Sequence, residues 1–224
     1  MTLTPLPRRV EGVVFDMDGL LTDSERIFRD SMFAVTHKAG LDMPMEVFMR
    51  MVGAPREQNQ RVVLEHFGAD FDYDAWIKAV NAHAHAQMAV DLQLKAGVVE
   101  LLDDLDALGL PRAIATSSTH ASVERQLGGM TGRFQAVVAH GDYARGKPSP
   151  DPFLTAAERL GVVPSACLGL EDSHNGVRAA HAAGLMTIMV PDLLEATEEM
   201  RGLCVAVAET LHDVRDLLAA QRSR

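Results

Sequence analysis

Asp16-Met17-Asp18-Gly19-Leu20-Leu21-Thr22-Asp23-Ser24-Glu25 follows the apolar run Val10-Glu11-Gly12-Val13-Val14-Phe15, which is expected to form a buried strand. In an extended chain residues i and i+2 share a face, so Asp16 and Asp18 can both point into one crevice at the strand's end. Gly19 lets the chain turn away without steric cost. Two carboxylates this close repel each other unless a cation or a shared proton compensates, and the hard, oxygen-seeking Mg²⁺ is the usual solution. By itself the pair is open to two readings, an acidic surface turn and a catalytic pair.

Downstream the pattern falls into two parts. Ser24 to Ala39, with Phe28, Met32 and Val35 at helical spacing and Gly40 as a stop, reads as a helix. Met45 to Met51, Arg56 to Phe67 and Tyr73 to Val90 read as three more, with no convincing strand among them. Short apolar strands then appear at Pro111 to Ala115, Phe134 to Ala139, Ala166 to Leu170, Leu185 to Val190 and Val205 to Val207. They alternate with helices at Gly97 to Leu108, Ser118 to Leu127, Asp151 to Leu160, Asn175 to Ala183 and Leu211 to Ala220. Such alternation indicates a parallel sheet covered on both faces. The expected fold class is α/β: a doubly wound parallel sheet from residues 1–20 and 95–224, with an inserted α-helical cap domain over residues 21–94.

In sheets of this kind ligands bind outside the carboxyl ends of the strands, and polar residues collect at those ends. The first strand ends in Asp16-Met17-Asp18. The second ends in Thr116-Ser117-Ser118, just before a helix N-terminus whose amides and dipole favour a phosphate. The third leads into Arg145-Gly146-Lys147-Pro148-Ser149-Pro150-Asp151, a lysine in a proline-stiffened loop. The fourth ends in Glu171-Asp172-Ser173-His174-Asn175-Gly176, a second acidic pair at a helix start. Singly, each has a plain structural explanation: a Ser/Thr helix cap, a solvated loop lysine, carboxylates compensating a helix dipole, ordinary caps at Ser173 and Asn175. Together, at the strand ends of one sheet, they form a set with a chemical division of labour.

The ordered motifs Phe15-Asp16-Met17-Asp18-Gly19-Leu20-Leu21-Thr22-Asp23-Ser24-Glu25, Ala115-Thr116-Ser117-Ser118, Gly146-Lys147-Pro148-Ser149-Pro150-Asp151-Pro152 and Leu170-Glu171-Asp172-Ser173-His174-Asn175-Gly176 resemble the haloacid dehalogenase superfamily. Within it the chain is most similar to the branch of β-phosphoglucomutase and the small sugar-phosphate phosphatases. The resemblance implies a Rossmann-like core, a helical cap that excludes water and confers specificity, and a Mg²⁺-dependent phosphatase acting on a small phosphorylated metabolite such as a sugar phosphate or nucleotide. By position, Asp16 resembles the nucleophile that becomes an aspartyl-phosphate, and Asp18 the general acid/base. Asp16, the Asp18 backbone carbonyl and Asp172 resemble the Mg²⁺ ligands, with Glu171 as a further ligand or as outer support. Thr116, the Ser117 amide and Lys147 resemble the phosphoryl cradle, and Ser118 stands where sugar contacts occur in this branch. Gly19 and Asn175 resemble supporting residues. Gly53-Ala54-Pro55-Arg56 resembles a cap loop whose arginine grips a distal substrate anion; a surface arginine at a helix start is the equal alternative.

Two departures bear on the reaction. Phe28 stands where β-phosphoglucomutase has a cap histidine, and near Ala84 the mutase's cap lysine is missing. Hydrolysis is therefore expected, with a phosphomutase as the alternative. Metal-free dehalogenase chemistry would not need Asp18, Glu171 and Asp172, and a non-enzymatic receiver-like phospho-aspartate module would not need a helical cap.

The 224 residues are 47% hydrophobic and 23% charged, as in ordinary globular proteins. No apolar run approaches the roughly 20 residues that cross a bilayer. A net charge of −10 disfavours a broad nucleic-acid or anionic-membrane surface. The stretch from Met1 to Arg9 lacks the long apolar centre of a secretory signal, so a cytoplasmic location is expected, as a monomer or weak homodimer. Cys167 and Cys204 read as buried small hydrophobes. His83 and His85 read as surface residues facing different ways, Trp76 and the cap methionines as packing, and His120 and His174 as neighbours of the predicted site.

Overall fold

Gly12–Phe15 forms β1, buried along its whole length, with Val13 and Phe15 in one hydrophobic cluster and Val14 in another. That period of two explains why β1 reads as a continuous apolar run: both faces of the sheet are covered. β1 pairs in parallel with β2 (Arg112–Ala115) on one side and β4 (Cys167–Glu171) on the other, so that Phe15 lies opposite both Ile114 and Leu170. β3 (Ala136–Val138) extends the sheet beyond β2, and β5 (Met186–Met189) and β6 (Ala206–Val207) extend it beyond β4. The order is β3-β2-β1-β4-β5-β6, parallel throughout. The computed structural model describes residues 5–222; Met1 to Thr4, part of the segment read for a targeting signal, and residues 223–224 lie outside the described residues.

The chain divides into two compact units, Met1–Thr22 with Leu94–Arg224, and Asp23–Gln93. The second consists of α1 (Ser24–Lys38), α2 (Met45–Met49), α3 (Arg56–Phe67) and α4 (Tyr73–Asp91). α1 packs on α4; Ile27 and Met32 on α1 and Trp76 and Val80 on α4 are buried, and the Trp76 indole donates to Thr36 Oγ1 at 3.0 Å. Trp76 is thus core, as its sequence context suggested. His83 departs from its expected surface position: it is half-buried and hydrogen-bonded to the buried Ser31 hydroxyl at 2.9 Å. A histidine one helical turn from buried Val80 and next to buried Ala84 is carried towards the α1 side whatever its polarity.

In the first unit α5 (Val98–Leu108), α6 (His120–Leu127) and α10 (Leu211–Arg222) cover one face of the sheet with Leu101, Leu105, Val123, Val214 and Leu217. α7 (Asp151–Leu160) and α8 (His174–Ala182) cover the other with Phe153, Ala156, Ala157, Ala179 and Ala180. Small residues bring α8 close to β4: a Cβ on Gly169 would lie 3.2 Å from the Ala180 methyl and 3.1 Å from Leu185. An additional helix, α9 (Glu198–Leu203), follows β5 and buries Met200 beside Val177 and Met189. Cys167 is buried as expected, whereas Cys204, at the end of α9, is half-buried. Among the described residues no helix is long and apolar enough to cross a membrane.

Candidate active site

The winding reverses at β1, with β2 and β3 on one side and β4 on the other, so the crevice at the carboxyl ends of β1 and β4 is the topological switch point where such sheets bind ligands. Asp16 follows β1 directly, its amide donating to the Leu170 carbonyl at 2.9 Å; Glu171 is the last residue of β4, and Asp172 comes next. All three are buried, and each offers a carboxylate oxygen within 4.8 Å of the others. Lys147 Nζ reaches them from the loop before α7, donating to Asp16 Oδ1 and Glu171 Oε1, each at 2.5 Å. Its ammonium lies 5.1 Å from the centre of the buried Phe153 ring, and only 7% of the side chain is exposed, so this is no solvated loop lysine.

Burial works against the Lys147 cation, but Asp16 and Glu171 hold its pKa above the ordinary lysine value. Burial pushes the Asp16 carboxyl well above the usual carboxylate range; Lys147 opposes this, and Glu171 and Asp18 reinforce it. Two of the three buried carboxylates, Asp16 and Glu171, thus share one ammonium. The donors are hard oxygens without imidazole or thiolate, the set that suits a hard divalent cation. The backbone makes room for this cluster. Gly19, at φ +82°, has a Cβ position only 2.4 Å from Asp172 Oδ2, and that of Gly176 is 1.9 Å from the Glu171 carboxyl. Glycine is required at both points.

Asp18 is half-buried and sits among three donors: Ser118 Oγ at 2.8 Å, Gln126 Nε2 at 3.0 Å and Thr116 Oγ1 at 3.4 Å. Thr116 is buried at the end of β2, and its hydroxyl accepts the Ser118 amide at 3.0 Å. Ser117, between them, is exposed. Asn175 lies in the first turn of α8, its Oδ1 accepting from Arg178 at 3.2 Å. Arg56 belongs to the helical unit, where its guanidinium pairs with Asp74 at 2.6 Å and lies 5.6 Å from the Tyr73 ring centre. His120 pairs with Asp142 at 3.0 Å, and His174 with the Glu195 carbonyl at 2.8 Å.

Three further residues converge here without a sequence motif to mark them. Gln126, inside α6, spans the turn after β1, its Oε1 accepting from Thr22 Oγ1 at 2.8 Å while its amide holds Asp18. Tyr143 donates its hydroxyl to the Thr116 carbonyl at 3.1 Å. Asp192 lies just beyond β5; the strand-end rule that singled out Asp16 and Asp172 applied to it equally.

The sequence matches the family described as haloacid dehalogenase-like hydrolase over residues 10–184, and the chain belongs to that family. It is 36% identical over 193 residues to a Drosophila melanogaster protein named probable pseudouridine-5'-phosphatase, covering 83% of each chain. It is 32% identical over 184 residues to fructose-1-phosphate phosphatase YqaB of Escherichia coli (strain K12), covering 81% of this chain and 97% of that one. The crystal structure of a hydrolase of the same family from Deinococcus radiodurans R1, with bound phosphate and sodium, matches with a TM-score of 0.79 at 27% identity, covering 94% of this chain and 96% of that one.

Proposed function

We propose that this hydrolase is a Mg²⁺-dependent phosphatase of a small phosphorylated metabolite, acting through a phosphoryl group held transiently on Asp16. The observation that carries the reading is the meeting of Asp16, Lys147, Glu171 and Asp172 at the switch point, with Asp18 two residues beyond Asp16. A carboxylate oxygen of Asp16 attacks phosphorus as the ester P–O bond breaks, and Asp18, as acid, protonates the departing alkoxide. Asp18 then takes a proton from the water that attacks the acyl phosphate, which releases inorganic phosphate and restores Asp16. An ammonium group has three donors, and Asp16 and Glu171 occupy two on Lys147, leaving one for a phosphoryl oxygen. The Thr116 hydroxyl and the Ser117 amide complete the cradle, and Ser118 both holds Asp18 and borders the leaving group. Mg²⁺, held by Asp16, the Asp18 carbonyl and Asp172 with Glu171 in support, supplies the positive charge that phosphoryl transfer demands.

The relatives named for pseudouridine-5'-phosphate and fructose 1-phosphate support a sugar phosphate as the substrate class. Half-buried Phe28 carries no group that could handle a proton, which supports transfer to water over transfer to a second sugar hydroxyl. The unit Asp23–Gln93 is assigned the role of cap, and Arg56 that of its anion anchor; the exposed pair with Asp74 is of the kind worth about 1 kcal/mol or less and yields readily to a phosphate. The test is phosphate release from p-nitrophenyl phosphate and a panel of sugar phosphates and nucleotides. Turnover is expected with Mg²⁺, to stop with EDTA, and to fall by about 10³-fold or more in Asp16→Asn. Full activity in that variant would sink the mechanism.

A further inference from the structure

Asp192 is the fifth strand-end carboxylate of this crevice, and half of it lacks a partner. Its Oδ1 accepts from Lys95 Nζ at 2.6 Å, yet Oδ2 is buried and takes no hydrogen bond from any described residue. A buried carboxylate oxygen left without a donor is costly, and such groups in folded proteins usually have a partner. The direction in which Oδ2 points is given by Gly19: a Cβ there would lie 3.2 Å from Asp192 Oδ2 and 2.4 Å from Asp172 Oδ2. Both oxygens face the same glycine, and the two carboxylates approach within 4.8 Å. Lys95 is fixed on the other flank, its amide donating to the Leu21 carbonyl at 3.0 Å, within the turn that carries Asp18 and Gly19.

Like charges this close raise each other's energy unless cations or hydrogen-bond donors compensate, and the Lys95 ammonium bonds the far oxygen of Asp192. We infer that Asp192 is a positioning residue of the metal centre, its Oδ2 accepting a hydrogen bond from a water of the hydrated cation beside Asp172. Mg²⁺ keeps several of its waters when bound by protein carboxylates, so acceptors around the ligands belong to the site, and losing such an outer partner typically weakens metal affinity about 10–100-fold. The inference rests on the proposed Mg²⁺ dependence and adds a carboxylate to that site. It also assigns Lys95 a definite part: its ammonium pairs with the far oxygen, Asp192 Oδ1, and its charge slightly opposes the cation.

The roles have opposite signs, which gives the test. Mg²⁺ affinity of the full-length chain is measured calorimetrically and by the Mg²⁺-induced rise in melting temperature, for the wild type, Asp192→Asn and Lys95→Met. Asp192→Asn is expected to weaken Mg²⁺ binding by about tenfold or more. Lys95→Met, which breaks the same ion pair, is expected to leave Mg²⁺ affinity unchanged or tighter. Equal losses in both variants would make Asp192 a mere ion-pair partner and overturn the inference, as would Asp192→Asn binding Mg²⁺ like the wild type. A wild type that binds no Mg²⁺ would instead overturn the proposed metal dependence and this inference with it. Should Asp192→Asn fold poorly, Asp192→Glu keeps the charge while moving the oxygen; wild-type affinity in that variant, alongside unchanged stability, would equally refute a positional role.

Discussion

Glu171 shows how far a single side chain depends on what its neighbours lack. Its carboxylate is fully buried, bonded to Lys147 on one oxygen and to the Ser173 hydroxyl and amide, at 3.1 and 3.3 Å, on the other. It fits only because Gly176 has no Cβ. Gly176→Ala should therefore displace Glu171 and loosen Lys147, at a cost of about 2–3 kcal/mol in stability and about tenfold or more in turnover. Urea unfolding and phosphate-release kinetics check this; wild-type values in both would show that Glu171 has somewhere else to go. At this scale the motif residues were legible because they lie at or shortly after strand ends, or, for Lys147, in a proline-flanked loop before a helix. Gln126 and Tyr143 were not. A glutamine inside an amphipathic helix and a tyrosine in a loop carry no local pattern, and their partners, Asp18 and Thr116, are distant in the chain.

At the scale of elements, α8 couples helix formation to the site. Ser173 accepts the Gly176 amide at 3.1 Å as the N-cap and donates to Glu171. Ser173→Ala should cost about 1 kcal/mol as a lost cap. It should also lower turnover, since the buried Glu171 oxygen loses a donor, and Ser173→Thr, which keeps the hydroxyl, should recover most of both. Thermal unfolding alongside kinetics measures the pair of effects; a stability loss without any change in turnover would confine Ser173 to capping. Most element bounds follow caps and stops visible in the sequence: α3 and α7 span the expected residues, and α6 begins at His120 because Thr119, not Ser117, is its cap. α9 leaves no helical signature in the sequence because it is six residues long, contains Gly202 and buries only Met200, too little for a periodicity to register. β3 came out shorter than the apolar run Phe134 to Ala139 because it lies at the sheet edge and pairs only with β2.

At the scale of the whole molecule, the two cysteines report on how the sheet is closed. Burial pushes both thiols up to about 11, so at pH 8 only roughly one in a thousand is thiolate by the ordinary titration relation. Cys167 lies inside the α7–α8 face of the sheet, whereas Cys204 is half-buried after α9. Ellman's reagent at pH 8 should thus label Cys204 slowly, Cys167 only as fast as the molecule unfolds, and both at once in urea. Rapid labelling of Cys167 in the native protein would contradict its place in the core. The sequence by itself determined the α/β class and the helical insertion, and it nominated Asp16, Asp18, Thr116, Lys147, Glu171 and Asp172 as the candidate site, because strand periodicity and strand-end chemistry are local properties. Only the tertiary structure decided what surrounds them: that Lys147 is shared between Asp16 and Glu171, that Ser118 and Gln126 hold Asp18, and that Asp192 turns an unpartnered oxygen towards Asp172. Those contacts join residues from different strand ends, a loop and a helix, and nothing in the spacing of the sequence encodes a distance across the fold.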